Sequence, residues 1–409
     1  MSGSLMKWLQ TSIFSLLIVS AIGIILRYKI AFSLPFIDQK NLLHGHSHFA
    51  FAGWITQALM ALLVNYLAEY GTADAFKKYR FLLYANLLTA YGMLISFPTV
   101  GYSFISILFS TLSIFVSYWF AIKFWKDLNK IKKTIAHAWF KAAIVFNAIS
   151  SLGAFSLAFM LALHQFNERF YLGSVYFFLH FQYNGWFFFA CMGLLSNRIV
   201  SFFTDTRKLS NIFSFFIYSS IPAYFLSAPW IQISVWAYWV VVAAAIAQIV
   251  GWTLLISSIK TKRDDIKQQI GSFSFRVFML VGIALIIKLL LQALSVIPSL
   301  SKLAFGFRPI VVGYLHLVLL GVITLFLLNY IITYTAKQNS TLRTGMIVFI
   351  IGILLNELAL MTQGIGDLYY ISIPQINLYL FGIAPIIFIG IIFLNIGLRN
   401  SNYDLTHNV

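Results

Sequence analysis

Acidic residues number only 11 in a chain of 409, charged residues of both signs make up 10%, and there is one cysteine. Each scarcity removes a class of protein. With 60% hydrophobic residues and a mean hydropathy of +0.87, so little charge excludes an ordinary water-soluble domain, in which about a quarter of residues are charged. Cys191 lies alone inside an apolar run, which excludes disulfides, cysteine metal clusters and thioether attachment of a cofactor. No low-complexity stretch stands out before the polar tail that follows Asn400, and no small-residue cleavage site follows the first apolar run, which reads as a signal anchor.

What is present is apolar sequence in lengths that cross a bilayer, about 20 residues each. Twelve runs qualify, near 8–27, 42–67, 81–98, 101–124, 138–162, 171–195, 211–229, 232–257, 275–297, 309–334, 344–364 and 376–398. The expected fold is therefore all-α: one polytopic membrane domain over 1–409, with the lipid bilayer as its partner. The net charge of +17 follows topology rather than nucleic acid. Of 28 basic residues, 20 fall in alternate loops and six (Arg27, Lys29, Lys40, Arg169, Lys302, Arg308) fall opposite, with Lys141 and Lys288 inside spans. The positive-inside rule then predicts both termini in the cytoplasm.

Three histidines recur along this frame. His48, His180 and His316 are separated by 180 − 48 = 132 and 316 − 180 = 136 residues. Each is followed five residues on by a glycine and then a bulky apolar residue: Gly53-Trp54, Gly185-Trp186 and Gly321-Val322. Each lies on the second span of a four-span block, so the twelve spans read as three pseudo-repeats, about 1–136, 137–270 and 271–400. Ionisable side chains inside a membrane are expensive and mark functional positions. Neutral imidazole is a common ligand for heme iron and copper. A heme held between two helices needs one histidine from each, so His316 is expected to pair with His44 or His48, a b-type heme lying between helices 2 and 10. His44 and His48 are four residues apart and share a helix face, while His46 points elsewhere. His137 and His164, at span ends, read as interfacial.

The residues now carry a resemblance. Gly45-His46-Ser47-His48-Phe49-Ala50-Phe51-Ala52-Gly53-Trp54 and Val312-Gly313-Tyr314-Leu315-His316-Leu317-Val318-Leu319-Leu320-Gly321 resemble the tenth-helix motif of the heme-copper oxidase catalytic subunit, closest to the cbb-type oxidases and nitric oxide reductases. That family implies two hemes; here Tyr314 replaces the histidine of its reactive heme, and His316 stands at the low-spin heme position. Leu42-Leu43-His44 resembles the segment carrying the other low-spin ligand. Leu179-His180-Phe181-Gln182-Tyr183-Asn184-Gly185-Trp186 resembles the sixth-helix segment bearing one copper ligand, whereas Ala228-Pro229-Trp230-Ile231 stands where the helix-7 pair of copper histidines would be. The short length and the His-x-His of helix 2 are also similar to the NnrS family of membrane heme proteins linked to nitric oxide stress.

The resemblance implies a heme-copper-oxidase-like scaffold in a bacterial inner membrane, with a role in electron transfer or nitric oxide handling. A cytochrome or quinol would donate electrons. Candidate metal-binding histidines are His44, His46, His48, His180 and His316, and Arg308, with Arg27, Lys29 and Lys40, is placed to meet heme propionates. Copper is not expected without the helix-7 histidines. The alternatives are an active oxidase or nitric oxide reductase subunit with an unconventional site, and a histidine-lined metal transporter. A transporter would need polar groups along the full depth of the bundle, whereas here they gather near the outer face. Lys288 and Glu357, in spans 9 and 11, read as a structural ion pair ahead of a proton path.

Overall fold

The computed structural model describes residues 3–406 apart from 73, 165, 204 and 335–338; side chains at 161 and 402–406 are also outside the description. Among the described residues all regular structure is helical, as apolar runs without partner strands must be when every backbone group has to be satisfied within its own segment. The helices are α1 (Gly3–Ala31), α2 (Gln39–Glu69), α3 (Ala75–Val100), α4 (Phe104–Leu128), α5 (Ile135–Ala162), α6 (Glu168–Phe202), α7 (Arg207–Ser220), α8 (Val235–Thr261), α9 (Arg263–Ile270), α10 (Ser272–Leu294), α11 (Pro298–Gly306), α12 (Arg308–Ile332), α13 (Ser340–Leu368) and α14 (Ile376–Thr406).

Eleven of these are long and apolar enough to cross a membrane, and each answers to one of the expected runs. The run near 211–229 differs. It forms the 14-residue α7 and then, from Pro222 to Ser227, a short 3-10 turn. Pro222 is the cause, because its ring removes a backbone donor and clashes with the preceding turn of an α-helix. The chain is thus a multi-pass membrane protein with eleven candidate spans, where twelve were expected from composition.

Contacts group the chain into two units, Met1–Lys132 with Leu327–Val409, and Lys133–Phe326. The first unit joins the beginning and the end of the sequence. Its α13 and α14 approach almost backbone to backbone. A Cβ at Gly345 would lie 2.8 Å from the Leu394 nitrogen, one at Gly352 would lie 3.0 Å from the Ile387 nitrogen, and one at Gly390 would lie 2.6 Å from the Phe349 nitrogen. Small residues are what allow such contact where no hydrophobic force drives helices together. Asn395 Nδ2 donates to the Ile13 carbonyl at 3.2 Å and ties α14 to α1. Helix α2 is the centre of this unit, with 89% of its apolar window buried, while α4 is its outermost helix at 11%.

The second unit has an aromatic core. Trp139, Phe140 and Phe146 of α5 are buried with Trp186, Phe187 and Phe189 of α6 and Phe216 of α7. Gly185 and Gly193 let the α5 rings lie against the α6 backbone, since a Cβ there would fall 2.6 Å from Phe146 Cβ and 2.4 Å from Phe140 Cε1.

Candidate functional site

The three histidine words share a backbone irregularity that their spacing does not announce. Each is followed at once by a π-helical turn inside its span: Ala50–Thr56 in α2, Phe181–Phe187 in α6 and Leu317–Thr324 in α12. A π turn carries one residue more than an α turn, loosens the hydrogen-bond ladder and re-aims the side chains around it. The loosened carbonyls need other donors. In α2 the Asn86 amide supplies one, donating to the Ala52 carbonyl at 3.0 Å and to Gln57 Oε1 at 2.8 Å. In α6 the buried Gln182 donates to Asn147 Oδ1 at 2.9 Å and Ser150 Oγ at 2.8 Å. The glycine of the word falls inside each π turn. At Gly53 it accommodates the Phe49 ring, whose Cε2 would be 2.5 Å from an added Cβ.

Around α2 the histidines divide as their spacing predicts. Asp38 caps the helix, accepting from the Asn41 nitrogen at 2.7 Å. His48 lies flat on Phe97 of α3, ring centroids 4.5 Å apart and planes 5° apart. His44, one turn earlier, meets Tyr102 edge-on at 4.7 Å and Phe97 at 6.1 Å. His46 faces α1 instead: its Cε1 is 3.6 Å from where a Cβ at Gly23 would be, and the Val19 carbonyl takes a hydrogen bond from its ring. Two ring nitrogens remain, His44 Nε2 and His46 Nδ1. Both are buried and have no protein hydrogen-bond partner. An orphaned polar atom costs desolvation that nothing offsets unless a ligand does, and the Trp139, Trp230 and Trp252 indole nitrogens share this state among the described residues.

His180 is different. It is 1% exposed, its Nε2 donates to the Ser220 carbonyl at 2.9 Å, and its Nδ1 accepts from Asn184 Nδ2 at 3.2 Å. The reason lies in the break at Pro222. An unbroken helix would give the Ser220 carbonyl the amide of Tyr224, but that amide bonds the Ile221 carbonyl at 3.2 Å in the 3-10 turn. His180 supplies the missing donor. Both its nitrogens are engaged by protein, so the structure gives it hydrogen-bonding work where sequence suggested a copper ligand.

His316 closes the α-helical start of α12. Its Nδ1 bonds the Val312 carbonyl at 2.8 Å, so that nitrogen carries the proton and the ring's lone pair is on Nε2. Metal-binding histidines are oriented and given their tautomer by the same second-side bond. Tyr314 approaches Tyr183 edge-on at 6.4 Å within the second unit. Arg308 opens the first turn of α12, and the Lys29 amine donates to the Leu34 carbonyl at 2.6 Å. Lys288, 4% exposed, donates to Gln292 Oε1, and Gln292 donates to Gln248 Oε1 at 2.9 Å; Glu357 accepts from Asn356 at 3.1 Å. His137 Nδ1 accepts from the Thr134 nitrogen at 3.0 Å and caps α5. Sequence reading missed the Asn86–Gln57 and Ser220–His180 partnerships, since neither amide nor carbonyl carries a sequence signal for a contact 29 or 40 residues away.

Among the described residues no group of three or more histidine, cysteine, aspartate or glutamate side chains converges to hold a metal ion. No family model matches the chain, and no curated protein matches it.

Proposed function

We propose that this chain is a multi-pass membrane heme protein of the heme-copper-oxidase-like or NnrS-like class, serving electron transfer or nitric oxide handling without a complete heme-copper centre. The observation that carries the reading is the buried Nε2 of His44 on α2, on the face shared with His48, which has no hydrogen-bond partner among the described residues. A bond to heme iron is the kind of partner that such a nitrogen would accept. His48 on the same helix is a further candidate ligand, and in the second unit the His316 tautomer suits coordination through Nε2. The donor set fits a b-type heme, which needs imidazole and no cysteine; when bound, the heme supplies one-electron redox chemistry and an iron able to take a diatomic gas.

The chain's own residues would do the rest. Phe97 and Tyr102 keep water from His44 and His48, Arg308 offers a guanidinium suited to a propionate carboxylate, and the Val312 carbonyl holds the His316 ring. The shared π turn after each histidine supports descent from one repeated unit. The basic loops support a bacterial inner membrane location with both termini cytoplasmic.

The test is an optical spectrum. Protein purified from heme-replete cells and reduced with dithionite should show sharp alpha and Soret bands. His316→Ala should abolish them, as should one of His44→Ala and His48→Ala. A colourless protein sinks the heme reading, and bands that survive all three substitutions would leave the ligands misassigned.

A further inference from the structure

A strongly cationic surface lies at one end of α3 and α4 in the first unit, away from the histidines. Lys77, Lys78 and Arg80 belong to the first turns of α3; Lys123 and Lys126 close α4, and Lys130 and Lys132 follow. These seven cations stand against two carboxylates in the same stretches, Asp74 and Asp127. The surface is built rather than loose. Asp127 is only 2% exposed and pairs with the Lys78 and Lys130 amines, while the Tyr79 hydroxyl donates to its Oδ2 at 2.9 Å. Lys123 donates to the Lys78 carbonyl at 2.6 Å and lies 4.9 Å from the Tyr79 ring centroid. One buried carboxylate thus holds two helix ends side by side and leaves Lys77, Arg80, Lys126 and Lys132 exposed, with no carboxylate paired to them among the described residues.

Within one turn along the same helices the surface becomes apolar. Phe81, Tyr84 and Leu88 on α3 and Phe115, Trp119 and Ile122 on α4 are all more than half exposed, and the Phe81 and Trp119 rings lie 5.4 Å apart. Arg80 adjoins Phe81, and Lys126 lies one turn from Ile122. A charged head beside a continuous apolar face, on helices that cross the bilayer, has the two-part chemistry of a lipid.

We infer that the Asp127-centred end of α3 and α4 is a binding site for an anionic phospholipid. Its phosphate is held by Lys77, Arg80, Lys126 and Lys132, and its acyl chains lie along the Phe81–Trp119 face. A soluble polyanion would have no use for the apolar face. An acidic protein would have to displace lipid from side chains that sit at bilayer depth. Basic groups at the ends of spans attract anionic head groups, and long basic side chains reach past apolar surface to do so. The helix α9 offers an internal comparison. Lys260 at the end of α8, Lys262 between the helices, and Arg263 and Lys267 of α9 flank the exposed pair Asp264 and Asp265, and among the described residues no buried carboxylate organises them.

The experiment places the full-length protein in nanodiscs holding equal phosphatidylglycerol and phosphatidylcholine, then measures the lipids retained on extraction by mass spectrometry. The native chain should retain the anionic lipid several-fold over the zwitterionic one. The exposed-residue variant Lys77→Gln/Arg80→Gln/Lys126→Gln/Lys132→Gln should bring the ratio close to one, while Lys260→Gln/Lys262→Gln/Arg263→Gln should leave it several-fold. In the unaltered protein, Lys126 and Lys132 should be several-fold less reactive to amine acetylation in phosphatidylglycerol vesicles than in phosphatidylcholine vesicles, a readout that needs no variant to fold. A ratio near one for the native chain, equal loss in both variants, unchanged acetylation, or displacement of lipid by a soluble polyphosphate would each overturn the site.

Discussion

His44 and His180 have the same side chain in the same kind of helix and differ in what their nitrogens meet. His180 has a carbonyl on one side and an amide on the other; His44 has a buried Nε2 with neither. Their substitutions should separate accordingly. His180→Ala strips the donor from the Ser220 carbonyl, which should cost about 1–3 kcal/mol and lower the thermal midpoint in detergent, with the heme spectrum intact. Copper in the purified protein should stay well below one atom per chain, because His180 has no nitrogen to offer and Trp230 and Ile231 stand in the helix-7 positions. His180→Ala protein that keeps its melting point and loses a metal would return the residue to the ligand set. His44→Ala should do the reverse of this, relieving an unpartnered nitrogen and holding or raising stability in the cofactor-free protein. A thermal midpoint several degrees lower in that form would show that His44 has a structural partner.

At the level of the element, α13 and α14 depend on glycine for their approach. Gly390→Leu would drive its side chain into the Phe349 backbone, and a loss on the order of 1–3 kcal/mol is expected, read as a lower melting temperature or as degradation during expression. The equivalent change at Gly382, where nothing lies within 4 Å, should be silent. The eleven candidate spans were all legible from sequence because length and apolarity are all that a spanning helix requires. The run at 211–229 was misread for the same reason: its composition is apolar throughout, and the interruption depends on one ring at Pro222. The histidine words were legible as words. That each opens a π turn was not, because the extra residue is absorbed by partners such as Asn86 that arrive from other helices. The division of labour between His44, His46 and His48 was legible, since helical spacing alone sets it.

For the molecule as a whole, eleven crossings alone would leave the termini on opposite faces, so the proposed cytoplasmic placement of both requires the short α7 and its 3-10 turn to make a twelfth crossing. Reporter fusions after Asn400 and in the 129–134 loop should both read cytoplasmic, and one beside Arg169 periplasmic; a periplasmic reading at the C-terminal fusion contradicts the proposed orientation. The same molecule should consume negligible oxygen with quinol or cytochrome donors, since on the proposed reading His180 alone remains of three copper histidines and Trp230 and Ile231 stand in place of the other two. Sustained turnover with stoichiometric copper would point to a centre that the described side chains do not assemble.

The break after Ser220 also bears on how the chain is made. At a rise of 1.5 Å per residue the 14 residues of α7 extend about 21 Å, short of the roughly 30 Å hydrocarbon core. Left alone in lipid, the turn beyond it would present a bare carbonyl to hydrocarbon. The donor that shields it belongs to the preceding span, so α6 must already be in the translocon's lateral exit when α7 emerges. The two should therefore enter the membrane as a hairpin, with His180 as the latch between them.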